Sequence, residues 1–286
     1  MEVDPNWSDY RIELTAGWVK ATEALLPRRS RLQAAFWDLL ADLRASSHAA
    51  SLPYMLTANI VSFHRGHIKG REDRSHNFRL ADAMTRRLAL KLQGKLDAAM
   101  MATVRGACLE IQQEFVDAYD SAPAISHEEV WGGFSDFTPF RTMAWSAQRN
   151  AFVMSWAAFE NFLLQAVAAA LMNPTFKRRL GQGRFTELAD EFDEAIHGIC
   201  WADDYPTHVR LARDAIMHNG GRVGSPLDQL PHPFAVIEKL LQIKASDNRN
   251  LLKYIENCTL ALITAANEKP ALLQPKRPRK RHRRKS

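Results

Sequence analysis

Residues 151–172 read AFVMSWAAFENFLLQAVAAALM, the longest apolar stretch of the chain. A run of this length is either a membrane span or the core helix of a soluble bundle. Ser155, Glu160, Asn161 and Gln165 lie inside it, and Glu and Asn near the centre of a span cost several kcal/mol. The stretch therefore reads as a buried core helix, and no membrane partner is expected. Extended outward it becomes a helix over 140–172, stopped by Asn173-Pro174.

The remainder has the same texture, with long tracts of strong helix formers and almost no alternating β-branched runs. A helix is expected over 10–26, stopped by Pro27. A second covers 28–44, with Leu32, Ala35, Phe36, Leu39, Leu40 and Leu43 on one face. A third covers 53–64 and ends in a polar loop, HRGHIKGREDRSH. The longest candidate covers 77–119, with Gly94 or Gly106 as break points. Its Leu88, Leu92, Leu96, Met100 and Val104 recur every four residues and predict packing along its length. Residues 121–139, SAPAISHEEVWGGFSDFTP, hold two Pro and a Gly pair and read as a linker or a long ordered loop.

Beyond the core helix, two short helices are expected around Gly181 and Gly183. Another starts at Tyr205 or Thr207 and stops at Gly220-Gly221, a strong C-terminal signal. A Gly/Pro loop follows over 223–233, and 234–243 fits a strand pair or a helical turn. The last helix, 247–268, carries Leu251, Leu252, Ile255, Cys258, Leu262 and Ile263. The expected fold is all-α: a helical N-terminal region of unknown role (1–120), a linker (121–138), a helical domain (139–268) and a basic tail (269–286) disordered by composition.

The chain has 286 residues, 46% hydrophobic and 24% charged, which excludes global disorder, collagen and a disulfide scaffold. Cys108, Cys200 and Cys258 are odd in number, far apart and without a C-x-x-C pair. They point to a reducing compartment, hence the cytoplasm, and away from structural zinc. The N-terminus, MEVDPNWSDYRIEL, is acidic and lacks an apolar run, so it resembles neither a secretory signal nor a transit peptide.

The net charge of +6 is unevenly spread. Lys276, Arg277, Arg279, Lys280, Arg281, Arg283, Arg284 and Lys285 stand in the tail. Without these eight of 38 Lys/Arg, 30 remain against 32 Asp/Glu, a net charge of −2 for the body. The tail is the expected nucleic-acid contact, through phosphate neutralisation and counterion release, and a nuclear import signal or a solubilising end has the same composition.

The chemistry-bearing segment is 209–224, VRLARDAIMHNGGRVG. Asp214 and His218 are four apart and share a helix face. Arg213 and His218 are five apart, about 140° around the helix, and line one shallow surface. His218 falls in the last turn, where the helix dipole favours a cation, and Asp214 acts in the same direction. A proton-moving histidine beside a guanidinium suits phosphodiester chemistry. The dipole alone also accounts for Arg and His near a helix end, and Asn-Gly-Gly is an ordinary stop.

Arg213-Asp214-Ala215-Ile216-Met217-His218-Asn219-Gly220-Gly221 resembles the R-x4-6-H signature of HEPN proteins, with Asp214 as the polar residue after the arginine. Upstream, SWAAFENFLLQAV resembles the first long helix of HEPN domains of the RiboL-PSP-like type, with Phe159-Glu160 as the aromatic-Glu pair. The resemblance covers about residues 139–267, a little under half the chain. It implies a HEPN-like helical bundle that dimerises, so that two motifs form one composite RNA-cleaving site on the two-fold axis.

It also implies a metal-independent endoribonuclease without cofactor, in which a 2′-hydroxyl attacks the neighbouring phosphate and leaves a 2′,3′-cyclic phosphate and a 5′-hydroxyl. His218 would then be the general acid/base, Arg213 the phosphate stabiliser and Asp214 the tuning residue, with Asn219 and Glu160 in support. The implied role is a toxin or antiviral defence effector, with RNA as substrate and an antitoxin or defence-system partner. Nucleotidyltransferase-paired relatives carry a tyrosine two residues after the histidine, where this chain has Gly220. The alternative is a non-catalytic α-helical RNA-binding protein, or an accessory protein of a larger defence complex.

Glu160 has a purely structural reading as well, a buried carboxylate paired with an arginine such as Arg213. His64 and His67, with His76, Glu72 and Asp73 nearby, could seed a metal site. Arg65, Lys69, Arg71 and Arg74 oppose a cation there, and no metal is expected. The chain contains neither G-x-x-x-x-G-K-[ST] nor G-x-S-x-G, so a P-loop nucleotidase and a hydrolase elbow are disfavoured.

Overall fold

The structure, a computed structural model, describes residues 6–26, 30–69, 83, 86–88, 90–92, 97–120, 125–176, 185–224, 232–269 and 272. Helix makes up 79% of it, and the only strands among the described residues are two of three residues each, so the fold is all-α. Helices α1 (Ala16–Leu25), α2 (Leu32–Ala50) and α3 (Leu52–Lys69) are followed by α4 (Ala98–Asp120), α5 (His127–Asp136) and α6 (Thr138–Ala170). Two short helices, α7 (Thr186–Glu191) and α8 (Glu194–His197), run into a π-helical turn at Gly198–Ala202. Then come α9 (Asp204–Asn219), strands β1 (Ala235–Ile237) and β2 (Leu240–Gln242), and α10 (Ala245–Asn267).

Two compact units result, one of Met1–Met55 with Phe134–Ser286 and one of Leu56–Gly133. The first is built on α6. Phe152, Trp156, Phe159, Phe162, Leu163, Ala166 and Val167 are buried along it. Helix α6 is long and apolar enough to cross a membrane, yet 56% of its most apolar window is buried by the bundle. Helix α2 covers α6 most extensively, through the expected stripe of Leu32, Ala35, Phe36, Leu39, Leu40 and Leu43, all buried. Gln148 donates to the Ala50 carbonyl (2.7 Å) and Ser155 to Ser46 (2.8 Å). As numbers rise along α2 they fall along α6, so the two helices are antiparallel.

This packing alters the expected domain plan. Residues 1–120 do not form one N-terminal region, because α1 and α2 belong to the body that holds α6 to α10. Buried polar groups stitch them in. Asn248 of α10 donates to both the side chain (2.9 Å) and the carbonyl (3.0 Å) of Gln148. The buried carboxylate of Glu256 accepts from the Thr15 amide (2.7 Å) at the N-terminus of α1, where the helix dipole favours an anion. Trp18 donates to the Glu256 carbonyl (3.0 Å).

Several boundaries differ from the expectations. The first helix starts at Ala16, not Tyr10, because 11–15 is extended and Ile12 exchanges hydrogen bonds with the Ser51 hydroxyl (3.0 and 2.9 Å). The second runs on to Ala50, with Ser46 and Ser47 bonding back to their own helix. The expected linker contains α5, started by a reciprocal cap between Ser126 and Glu129 (2.8 and 3.1 Å). The polar loop after His64 is helical as far as Lys69. Its side chains, including His64 and His67, and the rest of that loop lie outside what is described. Segment 234–243 is an antiparallel strand pair, Ala235 opposite Gln242.

In the second unit, α4 runs unbroken through Gly106. Of the apolar stripe expected over 77–119, Leu88 and Met100 are exposed and Leu92 and Val104 half-exposed, so these residues do not form a buried seam. Leu96 lies outside the described residues, as does the basic tail from Lys276 to Lys285.

Candidate active site

Helix α9 lies against α6 and ends where its sequence says it should. Gly220 takes a left-handed φ of 62° and Gly221 one of 87°, a conformation that glycine adopts without strain. Both glycine amides donate to the Ala215 carbonyl, that of Gly221 at 2.8 Å. The strand pair holds this end in place: Leu241 donates to the Gly221 carbonyl (2.8 Å) and Val223 to that of Lys239 (2.8 Å).

The expected residues occupy two levels of α9. On the inner level, Arg213 Nη2 sits 2.7 Å from Glu160 Oε1 on α6, and its Nη1 3.2 Å from Asp214 Oδ1. Trp156 Nε1 donates to the same Glu160 oxygen (2.9 Å), and Arg213 Nε is buried without a partner. The Glu160–Arg213 pair expected from sequence is therefore present, with side chains only 13% and 21% exposed. Burial lifts the Glu160 carboxyl above the usual carboxylate range, against the opposing pull of Arg213 and the Trp156 hydrogen bond.

On the outer level, His218 and Asn219 are exposed, and the His218 side chain makes no hydrogen bond or ion pair among the described residues. The structure thus joins Glu160, Arg213 and Asp214 into one network and leaves His218 and Asn219 on the rim beyond it. An aromatic floor supports the inner level. Trp156 stacks on Trp201 at 6.4 Å between centroids, and the Arg210 guanidinium lies 4.1 Å above the Trp201 ring. Arg210 also donates to Thr207 (3.0 Å).

Sequence reasoning missed two residues here. Arg149 on α6 rests on Trp145, 4.3 Å above the ring, and its guanidinium lies against the Gly221 backbone. The W-x3-R spacing within one helix was the available signal, since residues four apart are neighbours. Trp156, four residues before Glu160, was legible in the same way.

Among the described residues no group of three His, Cys, Asp or Glu side chains is placed to hold a metal ion. Chemically, the arrangement offers an exposed imidazole in the last turn of a helix that also carries a half-buried guanidinium paired with two carboxylates. Comparison with known proteins adds no relative: no family model matches the chain, and no curated protein or solved structure does so either.

Proposed function

We propose that the protein is a metal-independent endoribonuclease of the HEPN type, working in the cytoplasm as a homodimer and serving as a toxin or antiviral defence effector. The observation that carries this reading is the state of the R-D-x3-H-N-G-G segment. It closes a helix capped by left-handed glycines, with Arg213 paired to Glu160 and the His218 side chain exposed and without a partner among the described residues. A two-fold axis near that end brings two His218 side chains to one phosphodiester. One takes the proton of the 2′-hydroxyl as its oxygen bonds to phosphorus. The other gives a proton to the departing 5′-oxygen as the P–O5′ bond breaks. The products are a 2′,3′-cyclic phosphate and a 5′-hydroxyl, and guanidinium charge stabilises the phosphorane between them. RNA is the substrate, the basic tail adds sequence-blind affinity, and an antitoxin or defence-system partner restrains the activity.

One observation favours a second reading. Two carboxylates already balance Arg213, as suits a structural ion pair in a non-catalytic RNA-binding or accessory protein. Cleavage of a mixed RNA pool in EDTA by wild type and His218→Ala separates the two. Cyclic phosphate ends with wild type alone support the ribonuclease. Cleavage that survives His218→Ala overturns it, and RNA binding without cleavage by either protein supports the second reading.

A further inference from the structure

Three guanidinium groups gather around α9, and their surroundings differ. Arg213 is neutralised by Glu160 and Asp214. Arg210 is spread over Trp201 and donates to Thr207. Among the described residues, the Arg149 guanidinium has neither a carboxylate nor a hydrogen-bond acceptor. Its Nε is buried and unpartnered, and the indole N–H of Trp145, the ring on which it rests, is also buried without an acceptor. A half-buried cation with unmet donors is costly unless an acceptor arrives.

The chain nevertheless keeps this group fixed. Trp145 holds the guanidinium plane from one side. Gly221 leaves it room: a Cβ at that position would stand 2.6 Å from Arg149 Nη2 and 3.0 Å from its Cζ. Gly221 is three residues past His218, so the fixed guanidinium belongs to the same helix end as the exposed imidazole.

We infer that Arg149 is a phosphate-binding residue of this site, its terminal nitrogens gripping backbone phosphate oxygens of single-stranded RNA at the Gly220-Gly221 end of α9. A planar guanidinium offers two parallel donors to a phosphate, and stacking on an indole fixes their direction before the ligand arrives. The inference rests on the ribonuclease reading for its substrate class, but it concerns binding and is tested without cleavage.

The probe is a short single-stranded RNA carrying 2′-O-methyl groups throughout, which lacks the attacking hydroxyl. Full-length wild type, Arg149→Gln, Arg149→Lys and Arg141→Gln are titrated at fixed salt by fluorescence anisotropy. The basic tail is the same in all four and cancels from the ratios. Arg149→Gln should bind about tenfold more weakly, the loss of roughly one charge-assisted contact. Arg141→Gln, which removes the same charge elsewhere on α6, should stay within about twofold of wild type, being solvent-screened. Arg149→Lys keeps the charge without the forked donors and should lose several-fold; it carries the test if the Gln variant fails to fold.

Equal affinity of wild type and both Arg149 variants overturns the inference. So does an equal loss in Arg141→Gln, or an absence of RNA binding by wild type. Arg149-dependent binding by a wild type that cuts no unmodified RNA would instead remove the ribonuclease reading and leave this binding site standing.

Discussion

Arg213 and Arg149 approach the same helix end from opposite electrostatic conditions. Arg213 lies between two carboxylates, with its partner Glu160 braced by Trp156. Arg149 lies against an indole and a glycine, with no carboxylate paired to it among the described residues. The first arrangement is complete without a ligand, and the second is not. A guanidinium that is already neutralised serves to hold α9 on α6, whereas an unbalanced one is available to an incoming phosphate. If the proposed phosphate contact holds, recognition falls to an arginine that the motif does not mention, while the motif's own arginine is already paired within the fold.

The largest expected effect lies on neither arginine. His218→Ala should lower RNA cleavage by about a thousandfold, within the usual range for a lost general acid or base, with an unchanged circular dichroism spectrum. Next comes stability. Arg213→Ala leaves Glu160 buried without its cation and should cost about 3 kcal/mol by urea denaturation. Arg149→Gln should cost less than about 1 kcal/mol, because it strands no partner charge. Equal costs would mean that Arg149 is tied into the fold as firmly as Arg213.

Smaller effects are expected at the two glycines. Gly221→Ala meets both a positive φ and the Arg149 guanidinium, so about 2 kcal/mol is expected, against about 1 kcal/mol for Gly220→Ala, which meets open space. A double variant, Gly221→Ala with Arg149→Gln, should recover part of the difference.

The smallest effect is a pH dependence. The carboxyl of Glu160 is raised by burial, so the folded state holds its proton to higher pH than the unfolded chain does. Its contribution to stability therefore declines as pH rises from the ordinary carboxylate range through the raised one. Glu160→Gln should flatten that part of the profile in urea midpoints taken from about pH 4 to 7.

The helices and the stop of α9 were legible because they rest on local rules. The six-residue apolar stripe of α2 repeats at helical spacing, and Gly220-Gly221 is a stop that any reading of turn chemistry finds. Helix α5 was legible too: Ser126-x-x-Glu129 is a capping box, outweighed by the Pro and Gly residues around it. The union of α1 and α2 with the later helices was not legible. It depends on single buried hydrogen bonds, such as Gln148 to Ala50 and Thr15 to Glu256, between residues far apart in sequence that share no pattern. The inner half of the site was readable because Glu160 stood out in an apolar helix. For Arg149 the W-x3-R spacing showed only that it meets Trp145; the lack of a carboxylate partner among the described residues has no sequence signature.

The union of α2 with α6 also has a consequence in time. The apolar face of α2 leaves the ribosome before α6, which begins only at Thr138, has been made. At roughly 5–20 residues per second, that face waits for several seconds or more without its native cover. Early in its synthesis the nascent chain therefore presents a Leu- and Phe-rich surface suited to a chaperone. Synonymous codon changes between the two helices would lengthen or shorten that exposure without altering a single atom of the finished protein.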